Sequence, residues 1–366
     1  MRAKAIRFVL LIFAISFLSP VKPAQGAQIP VIDLGSFGGE VNLAYDINNQ
    51  GQIVGRSRDV SENFDRAFLW QNGMMTDLGT LGGLSSEAIQ INEHGQVVGD
   101  SNLAVVGKHA FLWEDGVMID LGTLGGNDST ARDINNDGWV VGNSPNSPYS
   151  DGRNHAFLWR DGVMIDLGGF EEDYTSYAID INEVGQIVGW ASLEGGPFRS
   201  FIWENGVMTD LGVSGLVTQI NDLGQAVGQS GSHAFLWQDG VITDLGALDA
   251  DYSWATGINN HGQVVGYIQY SPAGAVHPFI WEDGVMTDLG LLSDVSAGAV
   301  DINEQGQVIG SAFDVAHREA GFFWDDGVMY SLGVNSFPTA INDQGNMVGY
   351  RIQRGVFHAV LWRTSR

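Results

Sequence analysis

From about residue 31 onward, apolar positions come in short runs cut off by Gly, Asn or Asp, and no stretch keeps a 3.6-residue period. In the run His155-Ala156-Phe157-Leu158-Trp159, alternate residues share a face. His155, Phe157 and Trp159 then point one way and Ala156 and Leu158 the other, which predicts a strand covered on both sides. The runs belong to one phrase, clearest from Asp120 to Trp159: D-L-G, then a block of the form A-x-x-I-N-x-x-G-Q-V-V-G, then H-A-F-L-W.

The Ile-Asn anchor occurs eight times, at Asn48, Asn92, Asn135, Asn182, Asn221, Asn259, Asn303 and Asn342, with a mean spacing of 42 residues. A tryptophan anchor also occurs eight times, from Trp70 to Trp362. Asn-x-x-Gly, as in Asn48–Gly51, suits a type I turn with asparagine first and glycine last. Seven of the tryptophans are followed by Asn-Gly or Asp-Gly, the strongest short hairpin signal because both central residues need positive φ.

Four short strands per 42-residue unit match a propeller blade. The fold expected is therefore all-β, a closed propeller of eight four-stranded blades in one domain over 27–366. A β-solenoid is the rival, with coils usually much shorter. The last unit lacks its D-L-G strand, while Val31–Gly35 is a D-L-G strand without a unit. If the N-terminal strand completes the last blade, the ring closes and leaves no sheet edge there.

The phase resembles WD-repeat propellers. The chain is more closely similar to the HAF-repeat family of probable extracellular bacterial proteins, on His109-Ala110-Phe111, His155-Ala156-Phe157 and His233-Ala234-Phe235, over about residues 31 to 362. The resemblance implies an exported repeat protein and no particular activity.

The N-terminus changes the picture of location. Arg2, Lys4 and Arg7, the apolar run Phe8–Leu18 and the small-x-small site Ala24-Gln25-Gly26 read as a signal peptide over 1–26, removed on export. Eleven residues are too few to span a hydrocarbon core of roughly 30 Å, so no membrane insertion is expected. A secreted protein follows, periplasmic or extracellular, with a monomer expected. With no cysteine there is no disulfide, thiolate nucleophile, cysteine metal site or lipoprotein anchor. Net charge is -26; loss of Arg2, Lys4, Arg7 and Lys22 leaves 13 basic against 43 acidic side chains, a net of −30. Such a surface repels phosphate backbones, which excludes nucleic acid as a partner. Neutral sugars, cationic partners and divalent ions remain, and solubility by itself is the simplest explanation.

Candidate chemistry is sparse. A histidine stands four residues before tryptophan at His109, His155, His233, His277 and His358, which reads as a packed, hydrogen-bonded core group repeated in most units rather than a metal ligand. The eight tryptophans read as core. Asp133-Ile134-Asn135-Asn136-Asp137-Gly138 spells the opening of an EF-hand-like calcium loop, making Asp133, Asn135 and Asp137 candidate ligands and calcium the only candidate cofactor. The acid usual at position 12 is missing, since Ser144 stands there, and a turn asparagine beside a solvent-facing carboxylate is the plainer reading. Ser101 sits in a slot shared by Ser57, Ser144 and Ser230, so it reads as scaffold.

The tight Asn-x-x-Gly and Asp-Gly turns fall on one end of the ring, and loops of variable length on the other, where function usually resides. Two links there join rings to acids: Glu172, Tyr174 and Tyr177 in one, Asp251, Tyr252 and Trp254 in the other. Rings stack on sugar faces and carboxylates accept from hydroxyls, while aromatics filling the mouth of the ring are the simpler alternative. The expectation is a non-enzymatic binding module for a polysaccharide or protein on the variable face. The alternatives are a polysaccharide-acting hydrolase or lyase with paired acids at the channel mouth, and a calcium-stiffened structural protein.

Overall fold

The computed structural model describes residues 29–364 except 62–63, 149–152, 171–174, 193–195, 272–273, 294, 314–315 and 317. The expected signal segment lies outside them, as do Glu172 and Tyr174. Every regular element described is a strand. The first repeat unit is an antiparallel meander of Gly38–Ile47, Ile53–Asp59, Asp65–Gln71 and Met74–Asp77.

The strands form seven sheets, six of four strands and one of eight. The large sheet joins the first unit to the last through one parallel bridge, Val41 to Phe357. Strand Val31–Asp33 lies antiparallel to Val356–Arg363, with Val31 opposite Trp362. The D-L-G strand at the start of the chain therefore supplies the outer strand that the final unit lacks.

The local geometry follows the turn chemistry. Asn72 and Gly73 have φ of 52° and 86°, the doubly positive pair that a type I′ hairpin requires, and Asp161 and Gly162 repeat it at 52° and 79°. Each A-x-x-I-N strand also carries a bulge two residues before Ile, as between Ala44 and Asp46 or Ala131 and Asp133. The bulge brings the opposite strand in so close that a Cβ on the glycine of V-V-G would overlap the facing carbonyl oxygen: Leu43 at Gly55, Thr130 at Gly142, Trp254 at Gly266.

Packing occurs between successive units. Val54, Ala67, Leu69 and Leu78 of the first meet Ala88, Ile91, Val97 and Phe111 of the second, and Ala340, Val348, Ala359 and Leu361 of the last meet Ala44, Ile47 and Ile53 of the first. Phe68, Phe111, Phe157, Phe201, Phe235, Phe279 and Phe322 are fully buried. The tryptophans divide: Trp70, Trp203 and Trp362 are buried, whereas Trp113, Trp159, Trp237, Trp281 and Trp324 are half-buried against the same clusters.

No sheet closes on itself, but the asparagines do. Asn48 Nδ2 donates to the Asn92 carbonyl, Asn92 to Asn135, and so on through Asn182, Asn221, Asn259, Asn303 and Asn342, which donates to the Asn48 carbonyl; the distances are 2.9 to 3.2 Å. In most units the asparagine Oδ1 accepts from the backbone N–H groups two and four residues on, as with Gln50 and Gln52 at Asn48. The side chain that shapes each turn thus also ties it to the next unit.

Candidate functional site

One cavity of about 360 Å³ is lined from all eight units. Tyr45, Arg132, Ile179, Thr218, Thr256, Val300 and Thr339 reach it from the bulges, and Asp46, Gln90, Asp133, Asp180, Gln219 and Asp301 from the residue after. It is the axial channel. The following position links the units: Asp46 Oδ2 accepts from Ile91 N at 2.9 Å, Asp133 from Ile181 N at 3.0 Å and Asp301 from Ile341 N at 3.1 Å. Asp180 accepts likewise from Ile220 N at 2.7 Å, and Gln219 does the same with an amide oxygen.

These carboxyls sit among protein atoms that penalise charge. Burial pushes Asp46 up to about 7 and Asp301 up to about 6, against the N–H groups that favour the ionised form. Asp180 is raised well above its ordinary value, by burial first and then by the adjoining Asp133 carboxyl.

A second cavity of about 480 Å³ opens between units two and three, sharing Tyr45, Gln90 and Arg132 with the channel. Glu87 and Asp100 face each other across neighbouring strands on its wall. Asp100 is buried; it accepts from Ala131 N at 3.1 Å and from Lys108 Nζ at 2.7 Å. Burial raises its carboxyl and Lys108 opposes the rise. Arg56 Nε lies 3.7 Å from Glu87. Burial and the bond to Glu87 push the Tyr45 hydroxyl up.

The cross-strand slot that holds Glu87 and Asp100 is aromatic in units four, six and eight. Tyr177 stacks on Trp190 at 4.2 Å, Trp254 on Tyr267 at 6.5 Å and Phe337 on Tyr350 at 4.7 Å. Trp190, Tyr267, Phe337 and Tyr350 were not anticipated as ring partners. Aligning the units on V-V-G would have exposed them, because Trp190, Tyr267 and Tyr350 all follow that glycine.

The expected site residues are therefore dispersed. Tyr177 and Trp254 belong to different units, each engaged with its own partner, and the Tyr177 hydroxyl accepts from Asn154 Nδ2 at 3.1 Å. Tyr252 is 38% exposed and Asp251 is exposed on the link before it. The candidate calcium trio does not converge: Asp133 turns into the channel, Asn135 spends its amide in the asparagine circle, and Asp137 is exposed. Among the described residues no three His, Asp or Glu side chains group as a cation shell.

The repeated histidines pair with the D-L-G aspartates, His109 with Asp120 at 2.8 Å, His277 with Asp288 at 2.7 Å and His358 with Asp33 at 2.9 Å. Only His155 is buried; the others are half-buried at the strand ends, so hydrogen bonding rather than core packing explains them. Ser57, Ser101 and Ser144 are buried and accept from Phe37 N, Leu81 N and Leu124 N, as scaffold serines would.

No protein-family model matches the chain, and comparison with curated proteins finds no match. Solved structures resemble it in fold. A post-proline cleaving enzyme from Rickettsia typhi aligns at 9% identity over 87% of this chain and 59% of its own, with a TM-score of 0.55. A puromycin-hydrolyzing peptidase from Mycobacterium tuberculosis aligns at 12% identity over 91% and 61%, with a TM-score of 0.51. The β-propeller domain of the Trilobed protease from Pyrococcus furiosus aligns at 15% identity over 70% and 84%, with a TM-score of 0.48. The fold is a β-propeller. The alignments span less than two thirds of the two peptidases, and identities this low carry fold alone.

Proposed function

We propose that the chain is an exported, non-catalytic binding module of the HAF-repeat kind, an eight-bladed propeller closed by its N-terminal strand, which takes a carbohydrate at the variable-face mouth of the channel. The asparagine circle supports eight blades and closure: eight side chains, one from each repeat unit, form a loop of bonds with no break. One observation carries the binding reading. In units four, six and eight the slot beside the channel is filled by stacked rings, whereas in unit two it holds Glu87 and Asp100 and a cavity opens in front of them. Two carboxylates with Lys108 and Arg132 offer acceptors and donors at close quarters, the pattern that orients hydroxyls in a concave site. The rings of Tyr177, in unit four, and of Trp254 and Tyr252, in unit six, stand as separate contacts for further sugar units around the ring.

A glycan array on protein purified after export, together with a titration of the best hit, tests this. Glu87→Gln should weaken binding roughly tenfold by removing a charged acceptor, and Tyr177→Ala with Trp254→Ala should weaken longer glycans selectively. Unchanged affinity in Glu87→Gln would place binding elsewhere. The hydrolase reading has one point in its favour, the unequal environments of the facing acids Glu87 and Asp100. Product release during the same titration, abolished by Asp100→Asn, would establish it.

A further inference from the structure

Lys108 is neutralised by Asp100, and Arg56 by Asp65 at 3.0 Å and by Glu87. Arg132 differs from both. It lines both cavities from a bulge position where the other units carry Tyr, Ile, Thr or Val, and among the described residues it has no hydrogen-bond or ion-pair partner. Its strand neighbour Asp133 accepts from Ile181 N, and Asp100 accepts from Ala131 N and Lys108 with acceptor capacity to spare, but neither carboxylate closes on the guanidinium. An exposed, unpaired guanidinium fork thus stands where the two cavities meet, with carboxylates around it but none in ion-pair reach.

We propose that Arg132 anchors the carboxylate of a uronate sugar, whose ring hydroxyls donate to Glu87 and Asp100. This rests on the carbohydrate reading and names the sugar class. A guanidinium fork matches a carboxylate bidentately. Sulfate offers no donors, and phosphate few for its charge, so either would set mostly bare negative oxygens against Glu87 and Asp100. A uronate carries its anion on a ring edged with hydroxyl donors, so each charged group meets its complement. The charged and titratable groups facing Arg132 are Glu87, Asp100 and Lys108 on the mouth side and Asp46, Asp133, Asp180 and Asp301 on the channel side, with Tyr45 between. Burial raises Asp46, Asp180 and Asp301, so acidification removes negative charge around Arg132. A sugar carboxylate, like an α-carboxyl titrating at about 3.3–3.7, stays ionised there.

The test is calorimetric titration of the exported protein with di- and trisaccharide uronates and their neutral counterparts at about 0.15 M salt, where the Debye length of ≈ 8 Å screens the overall negative charge. Uronates should bind roughly ten- to a hundredfold more tightly than the neutral sugars, and more tightly at pH 6 than at pH 8. Arg132→Gln should erase the difference, and Arg132→Lys should keep part of it as a point charge without the fork. Melting temperatures should not move, because the side chain is exposed and holds nothing. Neutral sugars binding as tightly as uronates, or uronate affinity unchanged in Arg132→Gln, overturns the anchor while the carbohydrate reading stands. Absence of binding across both sets overturns both.

Discussion

A methyl group at Gly142 would overlap the Thr130 carbonyl oxygen and press on the Phe157 ring, whereas one at Gly116 would meet open space. Gly116 has φ of 85°, so its substitution by alanine costs only backbone strain, roughly 1 kcal/mol. Gly142→Ala must move a bulged strand and should cost about 2–3 kcal/mol. Urea denaturation of the two variants compares them, and equal losses would mean that the close approach at the bulge is relaxed in solution. Asp46 makes a pH-dependent counterpart. Its carboxyl rises from 3.8 to about 7 on folding, so between these values the folded chain holds a proton that the unfolded chain has released. Stability therefore falls as pH rises through that window and levels off above it. Asp46→Asn keeps an oxygen for Ile91 N and removes the ionisation. It should melt a few °C above the parent at about pH 8 and no differently near pH 4, as read from melts across the range.

Between units, the asparagine is the joint. Asn182 donates to the Asn221 carbonyl and to Gln186 Oε1, and accepts from Gln186 N, all from a buried position. Asn182→Ala strands those groups and should cost about 2–4 kcal/mol, while Asn182→Asp keeps the acceptor and loses the donor, with an intermediate cost. Chemical denaturation ranks the three proteins. The N-terminal strand is the other joint. Val31–Asp33 covers Val356–Arg363, and Leu34 N donates to the Ala359 carbonyl at 3.0 Å. Deleting residues 1–35 uncovers that edge, and light scattering on the truncated protein should show association that the intact chain lacks.

Across the molecule, the packing between units has no natural end: the last unit packs on the first as the first packs on the second. Cutting such a ring at another seam should matter little. A permutant that joins Thr364 to Pro30 through a short linker and opens at 213–214, between units four and five, should melt within about 2 °C of the parent, roughly 1 kcal/mol at this size. A much larger loss would show that the original seam is specially stabilised, with the ring held from that point alone.

The sequence alone carried the all-β class, the strand order, the hairpin turns and the matching of the orphan first strand to the incomplete last one, because φ requirements and alternation are local properties repeated along the chain. What each repeated polar residue does was not legible in that way. Asn48 and its seven equivalents read as turn formers, and only the ring geometry turned them into a circle of bonds between units. The histidines read as core, yet all but His155 sit half-buried, paired with D-L-G aspartates that the outer strand brings alongside. Arg132 and Tyr45 gave no signal at all. A bulge takes a residue out of the strand's alternation, so its direction cannot be inferred by counting, and the channel it faces exists only once all eight units have come round.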